Sequence, residues 1–257
     1  MKATMRQAGL VVLFILGLLA LWWGAALRLD KPYLLPPPQD VVSSLLTSLK
    51  DGTLLPAIGT SAARVGAGYA LSLLIGIPLG LLLARTPWLD KTLGAGVAGL
   101  QSLPSICWFP LALLWFGLNE KAVLFVVVLG SVFSVSLAVR GGVLALPPLY
   151  LRAAQTLGAR GWALWQYVLL PASLPATLSG MRQGWAMAWR SLMSAELLSQ
   201  SLKTGVGHLL NTGRDLNDMP LVLAMILVIL ALGLIVDKAL FLPLERYIVR
   251  RWGVAGA

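Results

Sequence analysis

Histidine and cysteine each occur once in the 257 residues, as His208 and Cys107. One of each excludes a disulfide framework, a thiolate zinc site and a histidine-clustered metal centre. Acids are scarce too: 10 Asp and Glu against 20 Lys and Arg. A membrane-embedded enzyme, which needs a constellation of acids, histidines or a nucleophile with its base, has little to draw on. The chain has no G-x-x-x-x-G-K-[ST] phosphate loop, so no ATPase site of its own is expected. Charged residues make up only 12% of the chain, about half the roughly 25% of a soluble domain. That is too few to cover a water-facing exterior, and the solvent for most of the chain must be lipid. The net charge of +10 is not gathered into a basic patch with interleaved aromatics, so nucleic acid is not an expected partner. Cys107, inside an apolar stretch, is expected to be a packed, inert thiol.

What the chain has is apolar runs. Uncharged stretches cover residues 8–27, 65–84, 92–119, 122–139 and 219–236, and about twenty residues span a bilayer core as a helix. The first follows Lys2 and Arg6 and is longer than the roughly 7–15 residues of a secretory h-region, so it reads as an uncleaved span. A sixth, less obvious span covers 176–198 and carries Arg182, Arg190 and Glu196. The expectation is one all-α membrane domain over 1–257 with about six spans and both termini on one side.

The basic residues test that arrangement. Lys2, Arg6, Arg85, Lys91, Arg140, Arg152, Arg160, Arg246, Arg250 and Arg251 fall on the side of the termini. Arg28, Lys31, Lys50, Arg64, Lys121, Lys203 and Arg214 fall on the other. The first set is larger and sits in short loops or tails, which assigns that side to the cytoplasm.

Between the first two spans, Pro36-Pro37-Pro38 cannot continue a helix. Val41, Val42, Leu45, Leu46 and Leu49 then recur at helical spacing, which fits either a helix lying on the membrane surface or a packed linker helix. The pairs Gly76/Gly80 and Gly180/Gly184 have the spacing that lets helix backbones approach closely. Pro104 and Pro110 interrupt the third span, and a broken helix at that depth should face protein or a cavity. Asp237 and Lys238 are expected at the interface, and Arg182 can snorkel to headgroups. The stretch 199–218, with Lys203, His208, Arg214, Asp215 and Asp218, is polar enough to meet a docked partner.

Between the fourth and fifth spans the character changes. Pro147-Pro148 ends one helix, and 149–158 favours a short helix closed by Gly158 at the position after its cap. A second helical piece, 159–170, precedes Pro171 and Pro175. Within this loop, about 147–171, the sequence reads Arg152-Ala153-Ala154, three residues, Gly158, nine residues, Val168-Leu169-Leu170-Pro171. The spacing resembles the Glu-Ala-Ala motif of the permease subunits of bacterial ABC importers, with Arg in place of Glu and Val in place of Ile. Leu35-Pro36-Pro37-Pro38, Ser61-Ala62-Ala63-Arg64-Val65, Gly76-Ile77-Pro78-Leu79-Gly80, Leu103-Pro104, Trp108-Phe109-Pro110-Leu111, Leu114-Trp115-Phe116-Gly117, Trp189, Ala195-Glu196 and Gly205-Val206-Gly207 resemble the branch that carries aliphatic sulfonates, taurine, nitrate and bicarbonate.

That resemblance implies a type I importer permease fold in the bacterial inner membrane, with a cytoplasmic coupling helix between spans four and five. It implies a pair of such subunits, in all expectation two copies of one chain. It also implies an ATPase dimer that uses ATP and Mg, with no cofactor in this chain, and a periplasmic binding protein that delivers an anionic solute. The expected coupling residues are Arg152, Ala153, Ala154, Gly158, Leu170 and Pro171. The expected pathway residues are Pro104, Trp108, Trp189, Arg190 and Glu196. An arginine inside a span normally faces the bundle interior. Arg190 can therefore attract an anion, or pair structurally with an acid of another helix or of the second subunit. The alternative is a secondary transporter driven by an ion gradient, although no internal repeat is evident.

Overall fold

The computed structural model describes residues 2–199 and 204–252, and among these every regular element is helical. In chain order they are α1 (Lys2–Leu29), α2 (Pro38–Lys50), α3 (Leu54–Arg85) and α4 (Pro87–Leu89), the last running through a π-helical turn, Asp90–Gly94, into α5 (Ala95–Ser102). A 3₁₀ turn, Ser105–Trp108, leads to α6 (Phe109–Phe116). Then come α7 (Glu120–Leu144), α8 (Pro148–Thr156) and α9 (Gly161–Leu164), which continues through a π-helical turn, Trp165–Leu169, into α10 (Leu170–Leu198). Next are α11 (Val206–Asp215) and α12 (Met219–Val236), the latter joined by the π-helical turn Asp237–Phe241 to α13 (Leu242–Trp252). Lys203 lies outside the described residues.

Four helices are long and apolar enough to cross a membrane, and the segment from Pro87 to Phe116 makes a fifth if its two bent halves count as one. The 29 residues of α10 rise roughly 43 Å, enough for a sixth crossing despite its charges.

The centre of the bundle is α7, which lies between α3 and α10. Both glycine pairs press on it. A Cβ at Gly76 would meet the Val132 carbonyl at 2.9 Å, and one at Gly80 would meet the Val139 Cβ at 2.7 Å. From the other side Gly180 abuts Ala138, and a Cβ at Gly184 would meet Val135 at 2.8 Å. Side chains of α7 are correspondingly small. Val123, Val126, Val127, Ser131, Val135, Ser136 and Val139 are buried, and Ser72 and Ser131 share a hydrogen bond of 2.7 Å between α3 and α7. In lipid, where there is no hydrophobic drive between helices, such close backbone contact supplies the packing energy. The contacts run in step along α3 and α7, which are parallel, and in reverse along α10.

One end of the bundle therefore gathers the starts of α3 and α7 and the end of α10. The opposite end gathers the end of α7, helices α8 and α9, and the start of α10. Ion pairs brace that second end: Arg140 pairs with Asp90, and Arg182 pairs with Asp237 and Glu245. The expected headgroup contact of Arg182 is thus an interhelical bridge.

Several expectations change. Of the two prolines expected to interrupt the third span only Pro104 does so: α4–α5 and the segment from Ser105 to Phe116 meet at 99°, whereas Pro110 sits in the first turn of α6. Pro104 excludes the helical conformation at Leu103, whose ψ of 129° is extended. Residues 159–170 are not a separate piece. The helix from Gly161 runs through Pro171 into α10, because a π-helical turn and the first turn of α10 absorb the proline. Cys107 is exposed in the single chain. On α2, Val41 is buried and Leu45 packs beside it against α3 and α12, while Val42, Leu46 and Leu49 stay exposed. This helix is a packed linker with a second apolar stripe. Its link to α1 includes a hydrogen bond from the Trp22 indole to the Pro36 carbonyl, 3.1 Å.

Candidate functional site: a coupling helix and a membrane cavity

Two features stand apart from the apolar bundle. The first is the connection between α7 and α10. Leu157 is the C-cap of α8, and Gly158 follows at φ +88°, a conformation that L side chains avoid. The Gly158 N–H donates to the Gln155 carbonyl at 3.0 Å, and the Ala159 N–H donates to the Ala154 carbonyl at 2.9 Å. This pair of bonds is the Schellman termination, which uses up carbonyls the helix end would leave unpaired. Ala154 is buried with Leu164 and Leu169, backed by Leu146, Leu151, Ala159 and Val168. A small residue is needed there because α8 folds directly onto the helix that becomes α10. Leu170 and Pro171 are half-buried where that helix continues.

The opposite face of α8 is uncovered among the described residues. Arg152 and Ala153 are exposed, as are Leu149, Tyr150 and, at 88% exposure, Leu157. Leu149, Ala153 and Leu157 recur every four residues and form one stripe, the pattern by which a short amphipathic helix lies in a partner's groove. The position of Arg152, at the edge of the stripe and in solvent, explains how a basic residue is accommodated there.

The second feature is a cavity of about 310 Å³ where the broken span meets α7 and α10. Leu103, Pro104 and Ser105 supply irregular backbone, Gly130 and Ser134 come from α7, and Arg190, Ser191 and Ser194 come from α10. Non-helical backbone at membrane depth is tolerated where it lines such a space. Gln101 crosses one wall, its amide donating to the Ser134 hydroxyl at 3.0 Å. Gly130 is required by close approach, since a Cβ would overlap the Ser191 side chain. Arg190 is exposed and is the one charged side chain among the lining residues.

Of the expected pathway residues, Pro104 and Arg190 line this cavity. Trp108 and Trp189 are half-buried and pack against the apolar core, with Trp189 reaching toward Gly233 of α12. Glu196 is buried elsewhere, in an ion pair with Arg64. Arg64 itself, counted above with the charges facing water, is 5% exposed. The serines of the cavity carried no pattern in sequence that separates them from serines in any helix. The break at Leu103-Pro104 was the signal that could locate the cavity.

The comparisons with known proteins agree with this geometry. Residues 76–242 match the family described as the binding-protein-dependent transport system inner membrane component. The chain belongs to that family. It is 32% identical over 235 residues to an ABC transporter permease protein of Methanocaldococcus jannaschii, covering 90% of this chain and 88% of that one. It is 31% identical over 242 residues to the taurine transport system permease protein of Escherichia coli, covering 91% and 87%. A bicarbonate transport system permease protein of Synechocystis is 28% identical over 242 residues, covering 88% and 84%. Among solved structures, the inward-facing methionine ABC transporter MetNI aligns at a TM-score of 0.66 and 19% identity, over 76% of this chain and 95% of that one. The fold is thus that of an importer permease. The protein is the membrane-spanning permease subunit of an ABC importer, works with a separate ATPase and a substrate-binding protein, and resides in the inner membrane. An ion-gradient transporter is thereby set aside.

Proposed function

We propose that two copies of this chain pair around the cavity to form the pathway of an ATP-driven importer for a small anion of the sulfonate, taurine, nitrate or bicarbonate class. The observation that carries the anion reading is Arg190: an arginine at the wall of a membrane cavity whose lining, among the described residues, holds no carboxylate. Uncompensated positive charge in a low-dielectric wall attracts an anion strongly. The names of the taurine and bicarbonate relatives support the same solute class.

In this reading α8 and both termini face the cytoplasm. Arg85, Arg140, Arg152, Arg160 and Arg182 gather toward the α8 end, as a cytoplasmic face requires. The α8 stripe, set by Ala154 and Gly158 and carried into α10 by Leu170 and Pro171, docks in a groove of the ATPase dimer. That partner uses ATP with Mg. Closure of the ATPase dimer biases the bundle between two states, and the binding protein delivers solute at the far end.

The test is uptake into proteoliposomes that contain the permease, its ATPase and its binding protein. Arg190→Gln should lower anion uptake at least tenfold while the ATPase still co-purifies, and Arg190→Lys should retain part of it. Unchanged uptake by a normally assembled Arg190→Gln complex overturns the anion reading.

A further inference from the structure

Three sequence stretches that the transport reading leaves without a role meet in one cluster at the end of the bundle far from α8, with Arg64 and Glu196 buried and Glu120 at its half-exposed edge. Arg64 of α3 donates through Nη1 to Glu196 of α10 at 2.7 Å. Its Nε and Nη2 reach both oxygens of Glu120, in the first turn of α7, at 2.7 and 2.6 Å. The Glu196 carboxylate, 1% exposed, also accepts from the Ser61 hydroxyl at 2.8 Å and from the Gly207 N–H at 3.0 Å. The Val206 N–H donates to the Ser61 oxygen at 2.9 Å.

The chain leading into α11 is wrapped around that carboxylate. A Cβ at Gly205 would overlap it, and one at Gly207 would lie 2.7 Å from the Glu196 Cβ. Gly205 has a φ of −106°, open to any residue, so the glycine is required by proximity alone. A carboxylate under the first turn of a helix complements the unpaired N–H groups and the positive end of the dipole. At its other end α11 turns back onto α12 at Asn217, which has a φ of 55°, and Asp218 caps α12 through the Leu221 N–H at 3.1 Å.

Charge is an expensive way to hold helices together, since the Arg64 guanidinium and the Glu196 carboxylate must both leave water. What it supplies beyond apolar packing is a unique register. We propose that Arg64, Glu120 and Glu196 form a positioning clip that seats the start of α11 on α10. On this proposal the clip fixes the mouth of the cavity that Arg190 lines, a placement that rests on reading the cavity as the pathway. Glu196 lies six residues beyond Arg190 on the same helix, a rise of roughly 9 Å. The clip therefore sets the orientation of the α10 segment that carries the anion-facing arginine. Glu196 and Arg64 act through α11 and α10, without touching solute.

The test uses the full chain purified with its ATPase, in a Cys107→Ser background, with a single cysteine at Val206 or at Ala188. Both positions are 0% exposed; Ala188 sits in the core near α7 and reports general loosening. Reaction with a water-soluble maleimide is followed with and without Glu196→Gln. The expected result is a rise of at least tenfold in labelling at Val206→Cys, none at Ala188→Cys, and retained ATPase. Gly207→Ala, which keeps every charge but places a methyl against the Glu196 side chain, should give a smaller rise at the same position. Two results overturn the proposal: no change at Val206→Cys in either variant, or equal rises at both cysteines, which makes the cluster a general stability element. Labelling is independent of solute, so a failed Arg190→Gln transport test leaves this result standing.

Discussion

Gly158 offers the cleanest perturbation of coupling, because nothing lies within 4 Å of where its Cβ would be. A substitution there causes no clash, and its cost is conformational only. With φ at +88°, an L residue that keeps the turn carries roughly 1–2 kcal/mol of strain. If it escapes the strain, it gives up the bonds from Gly158 to Gln155 and from Ala159 to Ala154, worth about 0.5–1.5 kcal/mol each. Either route tilts the α8 stripe away from the helix behind it by a free energy near 1–2 kcal/mol, which corresponds to a loss of about 5–30-fold in ATPase affinity. The measurement is titration of purified ATPase onto the permease in nanodiscs. Affinity should fall in the order Gly, Asn, Ala, Val, because Asn tolerates the left-handed region and a β-branched residue does not. Equal affinity for all four, or a loss for Asn as large as that for Val, refutes the argument that backbone conformation at this residue sets the docking angle.

The remaining predictions concern packing, charge and the docking face. Gly80→Leu should prevent a stable α3–α7 contact, since even a Cβ comes within 2.7 Å of Val139; the expected readout is loss of monodisperse protein in detergent, with Gly59→Leu, on an open surface, as the tolerated control. Arg182→Lys should lose the two-pronged contact with Asp237 but keep the charge. The pair is about one-third exposed, so the cost should be about 1 kcal/mol or less, read as a small fall in thermal midpoint. Leu157→Asp should abolish ATPase co-purification without affecting the bundle, because that side chain is 88% exposed.

The long apolar helices were legible because lipid enforces a simple rule: roughly twenty uncharged residues and every backbone bond satisfied within the helix. Gly158 was legible for a related reason, since a glycine after a short helix with apolar neighbours states a local backbone requirement. Arg64 was not. In sequence it is one basic residue beside a span, and the positive-inside rule counts it with the loops. Only the fold brings it within reach of Glu120 and Glu196, which lie 56 and 132 positions away in the chain. Glu196 is expected in the pathway from the resemblance, yet its partners come from α3 and α11. Trp108 and Trp189 illustrate the same limit, because periodicity shows that a residue lies on a helix but not which neighbour its face meets.

The arrangement of these groups along α10 suggests why one helix carries them all. Leu170 and Pro171 stand at its beginning, Arg182 is bridged to the α12–α13 segment, Arg190 faces the cavity and Glu196 enters the clip. From Leu170 to Glu196 is a rise of roughly 39 Å, the full depth of the membrane core and its interfaces. The buried contacts of Ala154, Leu164 and Leu169 join α8 to the start of α10. The glycine contacts with α7 resist sliding of the helix along its neighbour, because any shift drives Val135 or Ala138 into backbone. Rotation or tilt of α3, α7 and α10 as a unit preserves those contacts. The broken span is tied to this unit as well, by the Gln101–Ser134 hydrogen bond, the close approach of Gly130 to Ser105 and the Arg140–Asp90 ion pair. The cluster around Glu196 at one end and the contacts of Ala154, Leu164 and Leu169 at the other thus anchor α10 to its neighbours at both ends of the bundle.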